Sequence, residues 1–439
     1  MAQQHDVVVI GGGLAGLTAA ATAARAGRSV LVVDGPGGNR ATTDRVGRFL
    51  FNRGAHALYR SGRGSAVLDR LGVARAGGRP PRTLVARRGE RVGLAPTGVL
   101  SLARTRLVSP AGKVRLGRVV AGARRWRPDE LADRTAAAWF DELGLRGDER
   151  AAVETLARTT SYIADLEVVS ADLVAQQLLL ALDGGVDYLH GGWQTLLDGL
   201  AGAGRAAGVT HRRARVAAVA PDGRGVRVEL AGAGDGEAVV AGAAVVAAGT
   251  PDACAAVLPD RPAAWRALGP PVRVACLDLG LAAWPRRARP VLLGVDRPIY
   301  LIRHDPPAAL SPARGAVVHA MCYLRADDDR PAAEVRAELE AHCRLAGIDP
   351  AGAEEVRFLH RMAACGALPL PATGGLRGRP GVDSTGLPGV FVAGDWVGPD
   401  GHLADAALTS GEAAGRAAAG HAAAVERSAG GEARLAAHG

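Results

Sequence analysis

The first residues that could do chemistry form a glycine turn near the start of the chain. Residues 6–10 form a short strand-like run in which the last four residues are β-branched. Gly11, Gly13 and Gly16 follow at once in the spacing GxGxxG, and the Ala- and Leu-rich residues after them predict a helix. In such a unit the first glycine permits a tight turn, the second lets the backbone approach a pyrophosphate, and the third lets the helix pack against the strand. Asp34 ends the next predicted strand, where a carboxylate can accept from ribose hydroxyls. The pattern predicts a dinucleotide site for FAD or NAD and does not separate the two.

Three further stretches carry a family resemblance. Residues 37–43 read Gly-Gly-Asn-Arg-Ala-Thr-Thr, close to GGR-x-x-T/S, with Asn39 inserted before Arg40. Residues 48–59 resemble G-F-x-F-D-x-G-P-H, and residues 387–396 resemble G-(V/L)-(F/Y)-(V/L)-A-G-D. In this order the chain resembles the FAD-dependent amine oxidase and phytoene desaturase superfamily.

This resemblance implies that FAD is the cofactor and that both ends of the chain bind it. Arg40 would hold the pyrophosphate, Asp395 would bind the ribityl and pyrophosphate region, and the backbone of Val216 would contact adenine. The start of the C-terminal helix would direct its N–H groups at the flavin pyrimidine and stabilise negative charge there. The cofactor-binding residues implied together with the glycine turn are Gly11, Gly13, Leu14, Ala15, Gly16, Asp34, Arg40, Gly54, Ala55, His56, Val216, Gly394, Asp395, Leu403 and Ala404.

Candidate catalytic residues lie near a flavin-side motif or on a predicted strand of the substrate domain. They are His56, Tyr59, Tyr300, Arg361 and Trp396. The same predicted cavity would include His304, His402 and Asp405. Ordinary packing is the alternative for each of them, and no two have the spacing of a recognisable acid and base.

We expect an enzyme that moves a hydride from a substrate C–H bond to N5 of the flavin. No second strand–GxGxxG–helix unit follows, and the glycine run at 232–236 fits a hairpin turn, so the electrons would come from an organic substrate. They would leave to dioxygen or another acceptor. The only lysine, Lys113, is read as a surface residue in a turn, whereas the resemblance gives amine oxidases a lysine near N5. This favours a desaturase- or dehydrogenase-like reaction on a small or mid-sized metabolite; an amine oxidase, a flavin-dependent isomerase and a binding protein without cofactor stay open.

The length of 439 residues suggests two or three domains or one large multilayer domain. The implied fold class is α/β: a Rossmann-type FAD-binding domain, of the two-dinucleotide-binding-domain flavoprotein type, with an inserted α+β substrate domain. The FAD-binding domain would comprise residues 1–80, 186–258 and 372–439, and the substrate domain residues 81–185 and 259–371. Apolar spacing in the substrate domain predicts helices over 130–157, 171–182 and 327–345 and strands over 272–281, 299–303 and 316–324.

The net charge of +9 makes nucleic acid or an anionic membrane a candidate partner. However, 52 of the 53 basic residues are arginine, which is typical of a GC-rich genome, and clusters such as 124–127 and 212–213 lie between apolar segments. We therefore expect a small organic substrate and no nucleic acid. The sequence leaves the oligomeric state open.

Cysteine spacing and the first residues bear on the compartment. The five cysteines are odd in number and at least 21 residues apart, which fits neither a disulfide framework nor a metal motif, so they are expected to be reduced and buried, with no metal. The longest uncharged stretch, 7–24, contains four glycines and reads as strand, turn and helix rather than a membrane span. The first six residues lack a basic n-region, so we expect a cytoplasmic protein without an integral membrane segment.

Overall fold

The computed structural model describes residues 4–36, 39–81, 83–223, 225–231 and 237–436. The glycine pair at 37–38 and the glycine run at 232–236 lie outside the described residues. The helices are α1 (Leu14–Arg25), α2 (Arg63–Arg70), α3 (Val99–Arg104), α4 (Pro110–Gly122), α5 (Ala136–Glu142), α6 (Gly147–Ser161), α7 (Ala171–Asp183), α8 (Gln194–Ala206), α9 (Pro251–Ala255), α10 (Ala332–Leu345) and α11 (Ala404–Ala436). The strands are β1 (Gln4–Ile10), β2 (Val30–Asp34), β3 (Thr43–Val46), β4 (Phe49–Asn52), β5 (Leu58–Tyr59), β6 (Gly77–Gly78), β7 (Val85–Arg88), β8 (Arg91–Leu94), β9 (Val186–Leu189), β10 (Thr210–Arg213), β11 (Arg215–Asp222), β12 (Gly225–Ala231), β13 (Ala238–Val246), β14 (Val272–Leu281), β15 (Val291–Gly294), β16 (Ile299–Arg303), β17 (Ala316–Leu324), β18 (Glu355–Cys365) and β19 (Val390–Val392).

The first sheet is the parallel, helix-covered sheet expected of a Rossmann-type fold. Its strand order is β10–β2–β1–β13–β12–β11, and β19 pairs with the second half of β13. The pairs formed among β10, β2, β1, β13 and β19 are parallel, whereas β12 pairs antiparallel with both β13 and β11. Strands β1 and β2 are apolar on both faces because α1 and α11 cover one face and a core that contains Trp265 and Trp396 covers the other.

The parallel strands of this sheet end at one carboxyl edge. Ile10 on β1 lies beside Val33 on β2 and Val246 on β13, and Val246 lies beside Val392 on β19. The glycine turn and the segment that follows β19 therefore meet, although almost the whole chain separates them in sequence. Ligands of open α/β sheets bind at this edge.

The second sheet has the order β18–β14–β17–β16–β15–β7–β8 and is antiparallel except between β15 and β7. Side chains alternate between the two faces of β14. Val274 and Cys276 face a core that contains Phe49 and Phe51, whereas Leu277, on the opposite face, packs under α10. The strands predicted over 272–281, 299–303 and 316–324 are confirmed as β14, β16 and β17, and the helix predicted over 171–182 is confirmed as α7.

Two predicted helices need correction. The single helix predicted over 130–157 is wrong, because Gly144 and Gly147 have φ values of +70° and +55° and separate α5 from α6. The helix predicted from residue 327 begins only at Ala332, because Pro331 occupies the N-cap and has no N–H for an interior helical hydrogen bond.

The strands of the two sheets come from different parts of the chain. The first sheet uses residues 4–34, 210–246 and 390–392, and the second uses 85–94 and 272–365. The domain boundaries expected from the sequence stay a prediction. Within the described residues, no helix combines the length and the apolar composition that crossing a bilayer requires.

Candidate active site

The glycine turn lies at the carboxyl edge between β1 and α1. Gly11 has a φ of +110°, and a Cβ there would overlap the carbonyl oxygen of Ala247, so the turn requires glycine. A Cβ on Gly16 would overlap the carbonyl oxygen of Gly11, which reflects the close approach of helix and strand. A Cβ on Gly13 would meet no atom nearer than 3.7 Å, on Asn39. Packing within the described chain does not require Gly13, which leaves a ligand as the reason for a glycine at this position.

The start of α1 offers backbone donors beside a fixed carboxylate. Gly13 is the N-cap and has no side chain to bond the first N–H groups of the helix, which have no acceptor within the helix itself. Asp34 is exposed at the end of β2, and its Oδ1 accepts from the Gly12 N–H at 2.9 Å. Helix N–H groups suit phosphates, and a carboxylate in this position suits ribose hydroxyls.

The closing helix α11 packs directly on the opening helix α1. A Cβ on Gly411 would overlap the carbonyl oxygen of Ala15. The Ser410 hydroxyl donates to the Gly394 carbonyl oxygen at 2.8 Å and lies 3.1 Å from the Gly394 N–H. The start of α11 is thereby fixed at the same carboxyl edge as the glycine turn.

Arg40 and Asp395, both predicted to bind the cofactor, lie together at this edge. Arg40 Nη1 donates to Asp395 Oδ2 at 2.6 Å, and Asp395 Oδ1 accepts from the Gly366 N–H at 3.1 Å. Asp395 is buried, whereas 39% of the Arg40 side chain is exposed. The guanidinium has five donors, so it can bond an anion while it orients Asp395.

Arg379 belongs to this site, and sequence reasoning missed it. Its side chain is buried, and it donates to the carbonyl oxygens of Asp395 at 3.2 Å and Gly401 at 2.9 Å. It therefore ties the segment after β19 to the loop that enters α11. Neither spacing nor a motif marks this arginine, so the sequence carries no signal for it.

Two buried polar atoms test whether the site fits a bound cofactor. Arg379 Nε and His402 Nδ1 have no hydrogen-bond partner among the described residues. Burial lowers the pKa of His402 to about 4, and its Nε2 lies 2.9 Å from the Ser161 carbonyl oxygen, which assigns the proton to Nε2 and leaves Nδ1 as an acceptor. Arg379 Nε therefore lacks an acceptor and His402 Nδ1 lacks a donor. An isoalloxazine ring offers both kinds of group. With the open position at Gly13 and the exposed Arg40, these residues fit FAD.

Val216 lies on the ribose side of the site. The Ala214 N–H donates to the Asp34 carbonyl oxygen at 3.1 Å, and Val216 follows two residues later on β11. This placement agrees with the adenine contact expected for Val216, which stays a prediction.

Residues 54–57 link β4 to β5, and side chains of the substrate-side elements hold them. Gly54 has a φ of +97°. The Tyr162 hydroxyl donates to the Ala55 carbonyl oxygen at 2.5 Å, and the Cys276 thiol lies against the Ala55 N–H. His56 Nδ1 lies 2.9 Å from the Gly54 carbonyl oxygen, and burial lowers the pKa of His56 to about 4. His56 is therefore a neutral imidazole at pH 7.

All five tyrosines of the chain gather beside this segment, and we call them the tyrosine cluster: Tyr59, Tyr162, Tyr188, Tyr300 and Tyr323. The ring centroids of Tyr300 and Tyr162 lie 5.6 and 6.2 Å from that of Tyr323. Burial raises the pKa of Tyr162 to about 12 and raises the pKa values of the other four further. The phenols are therefore neutral at pH 7. Sequence reasoning named Tyr59 and Tyr300 only. The small number of tyrosines could have drawn attention to the other three, but the topology alone shows that the five lie together.

A buried charge network, which sequence reasoning also missed, lies behind residues 54–57. Asp278 accepts from His319 Nδ1 at 2.5 Å and from the Cys276 thiol at 3.0 Å. Its other oxygen accepts from Arg357 at 2.7–2.8 Å, and Arg357 also bonds Asp44 at 2.7 Å. Arg357 donates further to the carbonyl oxygen of residue 52, at the end of β4. The network thus links the second sheet to the strand that leads into residues 54–57.

Three members of this network are of metal-ligating type. A thiol, a carboxylate and a ring nitrogen from Cys276, Asp278 and His319 lie within 4.8 Å of one another. Hydrogen bonds account for this arrangement, because Asp278 receives the thiol and the imidazole on one oxygen and the guanidinium on the other. The Arg357 guanidinium, on the other oxygen, compensates the negative charge of Asp278.

Two candidate catalytic residues make contacts away from residues 54–57. Trp396 is fully buried against Trp265, and its indole N–H donates to the Gly249 carbonyl oxygen at 2.9 Å. Arg361 Nη2 lies 3.5 Å from the carbonyl oxygen of Arg330, in the segment that enters α10. Packing explains these contacts, and neither residue enters the function proposed below.

The remaining candidates lie nearer to the site. Tyr59 donates to the Thr160 carbonyl oxygen at 2.9 Å. The His304 ring stacks on Tyr188 at 4.0 Å, inside the tyrosine cluster. Asp405 accepts from the Gly64 N–H at 3.0 Å, where it binds the start of α2, and burial raises the pKa of Asp405 to about 6. Their catalytic roles, with that of His56, stay predictions.

The prediction that Lys113 lies in a surface turn is wrong. Ser109 caps the helix α4 and Pro110 begins it, so Lys113 lies in its first turn. The Lys113 ammonium donates to the Ala103 carbonyl oxygen at 2.9 Å, at the end of α3. The chain has no other lysine, so no lysine lies beside residues 54–57.

Comparisons with solved structures show the same fold in an oxidoreductase, a cyclohexylamine oxidase and a putrescine oxidase. An oxidoreductase from Methanosarcina mazei is 18% identical, with 93% of this chain and 99% of that chain covered and a TM-score of 0.72. Cyclohexylamine oxidase from Brevibacterium oxydans is 18% identical, with coverages of 95% and 99% and a TM-score of 0.70. Putrescine oxidase bound to putrescine is 15% identical, with coverages of 94% and 98% and a TM-score of 0.69.

A family model gives the assignment that these structures alone do not. Among curated proteins, none matches this chain. The model described as flavin-containing amine oxidoreductase matches residues 14–418, from the first residue of α1 into α11. The match includes Arg40, Asp395 and the start of α11. The expected family resemblance, the α/β fold and the FAD cofactor are therefore confirmed. The chain therefore belongs to the flavin-containing amine oxidoreductase family and is an FAD-dependent oxidoreductase.

Proposed function

We propose that this enzyme removes a hydride from a C–H bond of an uncharged, small or mid-sized organic substrate held between residues 54–57 and the tyrosine cluster. Bound FAD supplies the hydride acceptor, at N5. The protein positions the substrate and excludes water, which is the share of catalysis that oriented side chains can supply. The reaction is of the desaturase or dehydrogenase type.

The observation that carries this proposal is the neutrality of the side chains around residues 54–57. Burial raises the pKa values of all five tyrosines and lowers those of His56 and His304, so none of these groups is charged at pH 7. An ammonium group would lose its hydration there without gaining a counter-ion. Aromatic rings and phenol donors suit an apolar substrate with a polar end.

Asp278, the buried carboxylate of the charge network, does not provide a counter-ion for an amine. Asp278 already accepts from Arg357, His319 and Cys276, so its charge is compensated. The lysine that the resemblance gives to amine oxidases has no equivalent, since Lys113 lies on α4. Both points favour a neutral substrate over an amine.

Anaerobic bleaching of the bound flavin tests the proposal. The purified holoenzyme is mixed without oxygen with matched pairs of compounds, such as cyclohexylamine and a cyclohexanone, or a primary amine and a saturated lipophilic ester. We expect bleaching by the neutral member of a pair and little by the amine. Bleaching by amines alone, followed by rapid oxygen consumption on mixing with air, would instead identify an amine oxidase. Turnover by the reduced enzyme without any acceptor would identify an isomerase.

Two finer expectations belong to this proposal. We place the enzyme in the cytoplasm, because its five cysteines are buried and unpaired, as in proteins of a reducing compartment. We leave two acceptors open, dioxygen and a second electron carrier. Oxygen consumption during turnover, measured with an electrode, separates them.

A further inference from the structure

The basic excess of the chain is concentrated in one stretch. Residues 71–127 hold 14 basic side chains and one acidic side chain, Glu90, for a net charge of +13. The remaining residues hold 39 basic and 43 acidic side chains, for a net charge of −4. The interpretation of the arginines as scattered therefore does not describe this stretch, which contains β7, β8, α3 and α4.

The same stretch exposes most of the large apolar side chains that face solvent. We define the α3–α4 surface by its exposed apolar residues, which are Val92, Val99, Leu100, Val114 and Val120. Val99 is 84% exposed, Leu100 63% and Val114 55%; among the described residues the only other large apolar side chain more than half exposed is Leu182, at 53%. The residues of the α3–α4 surface lie on β8, α3 and α4, and α3 contacts both β8 and α4, so they belong to one region of the surface rather than to scattered sites.

The helices that present this surface are well anchored. Leu102 of α3 and Leu116 of α4 pack into the core beneath, with Trp139 and Phe140. The Lys113 ammonium joins α4 to the end of α3 through the Ala103 carbonyl oxygen. The outward valines and leucine are thus presented by helices fixed from below, so their exposure belongs to the fold.

Exposed arginines lie on α3 and α4 and in the residues that directly follow these helices. Arg104, Arg106, Arg118, Arg124 and Arg125 are exposed, and within the part of the chain that the structure describes none of them has a carboxylate within 4.0 Å. The partnered arginine of α4 is Arg115, which bonds the buried Glu149. A surface of unpaired cations around aliphatic side chains is complementary to lipid headgroups and the acyl region below them.

We propose that the α3–α4 surface binds the face of an anionic lipid bilayer, with Val99 and Leu100 entering the interface and the arginines bonding headgroup phosphates. Nucleic acid would share the charge complementarity. It is disfavoured because single strands bind through exposed aromatic rings, whereas Trp126, the aromatic residue of this stretch, packs edge-on against Trp139 at 4.8 Å. The inference does not depend on the substrate proposed above.

Vesicle co-sedimentation of the holoenzyme tests this surface. Vesicles of phosphatidylcholine are compared with vesicles that contain phosphatidylglycerol, at low and high salt. We expect binding to the anionic vesicles to be about tenfold or more stronger, and to fall with salt, because each basic side chain near the surface contributes separately.

Surface variants with matched controls make the test specific. Val99→Gln with Leu100→Gln, and separately Arg118→Glu with Arg124→Glu, should each weaken binding about tenfold or more. Leu182→Gln, of similar exposure on α7, and Arg286→Glu with Arg287→Glu, exposed elsewhere, should leave it unchanged. Flavin absorbance and circular dichroism confirm folding of every variant. The proposal would be overturned if the enzyme did not bind anionic vesicles, or if the control variants lost binding equally. It would also be overturned if the enzyme bound a labelled oligonucleotide more tightly than vesicles.

Discussion

The carboxyl edge of the first sheet and the tyrosine cluster of the substrate side are built in opposite ways. At the edge the backbone makes the site: Gly11 turns with a positive φ, Gly16 allows close packing, and helix N–H groups face outward. Around residues 54–57 side chains make the site, and they come from elements far apart in the chain, such as Tyr162 after α6 and Asp278 on β14. A backbone site constrains residue type at fixed spacing, whereas a side-chain site depends on how distant strands and helices are arranged.

This difference predicts which substitutions abolish cofactor binding, and the glycine turn should show the largest effect. Gly16→Ala places a methyl group on the Gly11 carbonyl oxygen, so the variant should lose bound FAD or fail to fold. Gly13→Ala has room within the protein and should keep its melting temperature, yet bind FAD about tenfold or more weakly, because the methyl group would stand where the pyrophosphate approaches. Flavin content and FAD titration measure both.

Gly202→Ala is the matched control for these two variants. A Cβ at Gly202, in the middle of α8, meets no atom within 4 Å. That variant should keep its FAD content. Normal FAD affinity in Gly13→Ala would mean that the turn does not approach the pyrophosphate.

The charge network should give the next largest effect, on stability rather than on FAD binding. Arg357→Met leaves Asp278 buried without its cation and should lower the free energy of unfolding by about 3–5 kcal/mol. Arg48→Met breaks an exposed pair with Glu354 and should cost about 1 kcal/mol or less. Urea unfolding of the apoprotein measures both, and equal losses would show that Asp278 does not depend on Arg357.

His402 should make stability sensitive to acid. Burial lowers its pKa from 6.5 to about 4, so below pH 6.5 the unfolded chain takes up a proton that the folded protein does not. At neutral pH this histidine therefore does not reduce the free energy of unfolding. As the pH falls towards 4, it lowers that free energy by up to about 3 kcal/mol. His402→Gln, which keeps a donor for Ser161, should flatten the decline in melting temperature over this range. His421→Gln, later in α11, serves as the control, and an equal flattening there would contradict the assignment to His402.

The tyrosine cluster should give the smallest effect and the most local one. Tyr162→Phe and Tyr59→Phe each remove one phenol hydrogen bond to a carbonyl oxygen and should each cost about 1 kcal/mol of stability. Of these two tyrosines, Tyr162 bonds residues 54–57 and Tyr59 bonds Thr160. We therefore expect Tyr162→Phe, and not Tyr59→Phe, to shift the flavin absorbance bands of the holoenzyme. Identical spectra in the two variants would contradict the predicted contact between Ala55 and the flavin.

The same contrast explains how much could be predicted from the sequence. The glycine turn, Arg40 and Asp395 were accessible because a local motif marks each of them, and β14, β16 and β17 because buried strands are apolar runs of characteristic length. The helix α4 could also have been found, since Ser109 followed by Pro110 is a typical helix start. The break between α5 and α6 was missed because apolar periodicity continues across Gly144.

The side-chain site could be predicted only in part. Tyr59 and Tyr300 were named because they lie near a motif or on a predicted strand. Tyr162 lies just after a helix end and carries no such mark, whereas Tyr323 lies on β17, a predicted strand, and could have been named on the same ground. Asp278, His319 and Arg357 come together through the pairing of β14 with β17 and β18. No spacing along the chain encodes that register, so this network required the structure.

The central claim is that one FAD molecule is held at once by the glycine turn and by the start of α11. Calorimetric titration of the apoprotein with FAD, ADP and FMN tests it most directly, because ADP can occupy only the first region and FMN only the second. The account predicts that FAD binds at least about a hundredfold more tightly than either fragment, since joining two bound parts adds their contributions. An affinity for ADP equal to that for FAD would contradict it, because the closing helix would then contribute nothing.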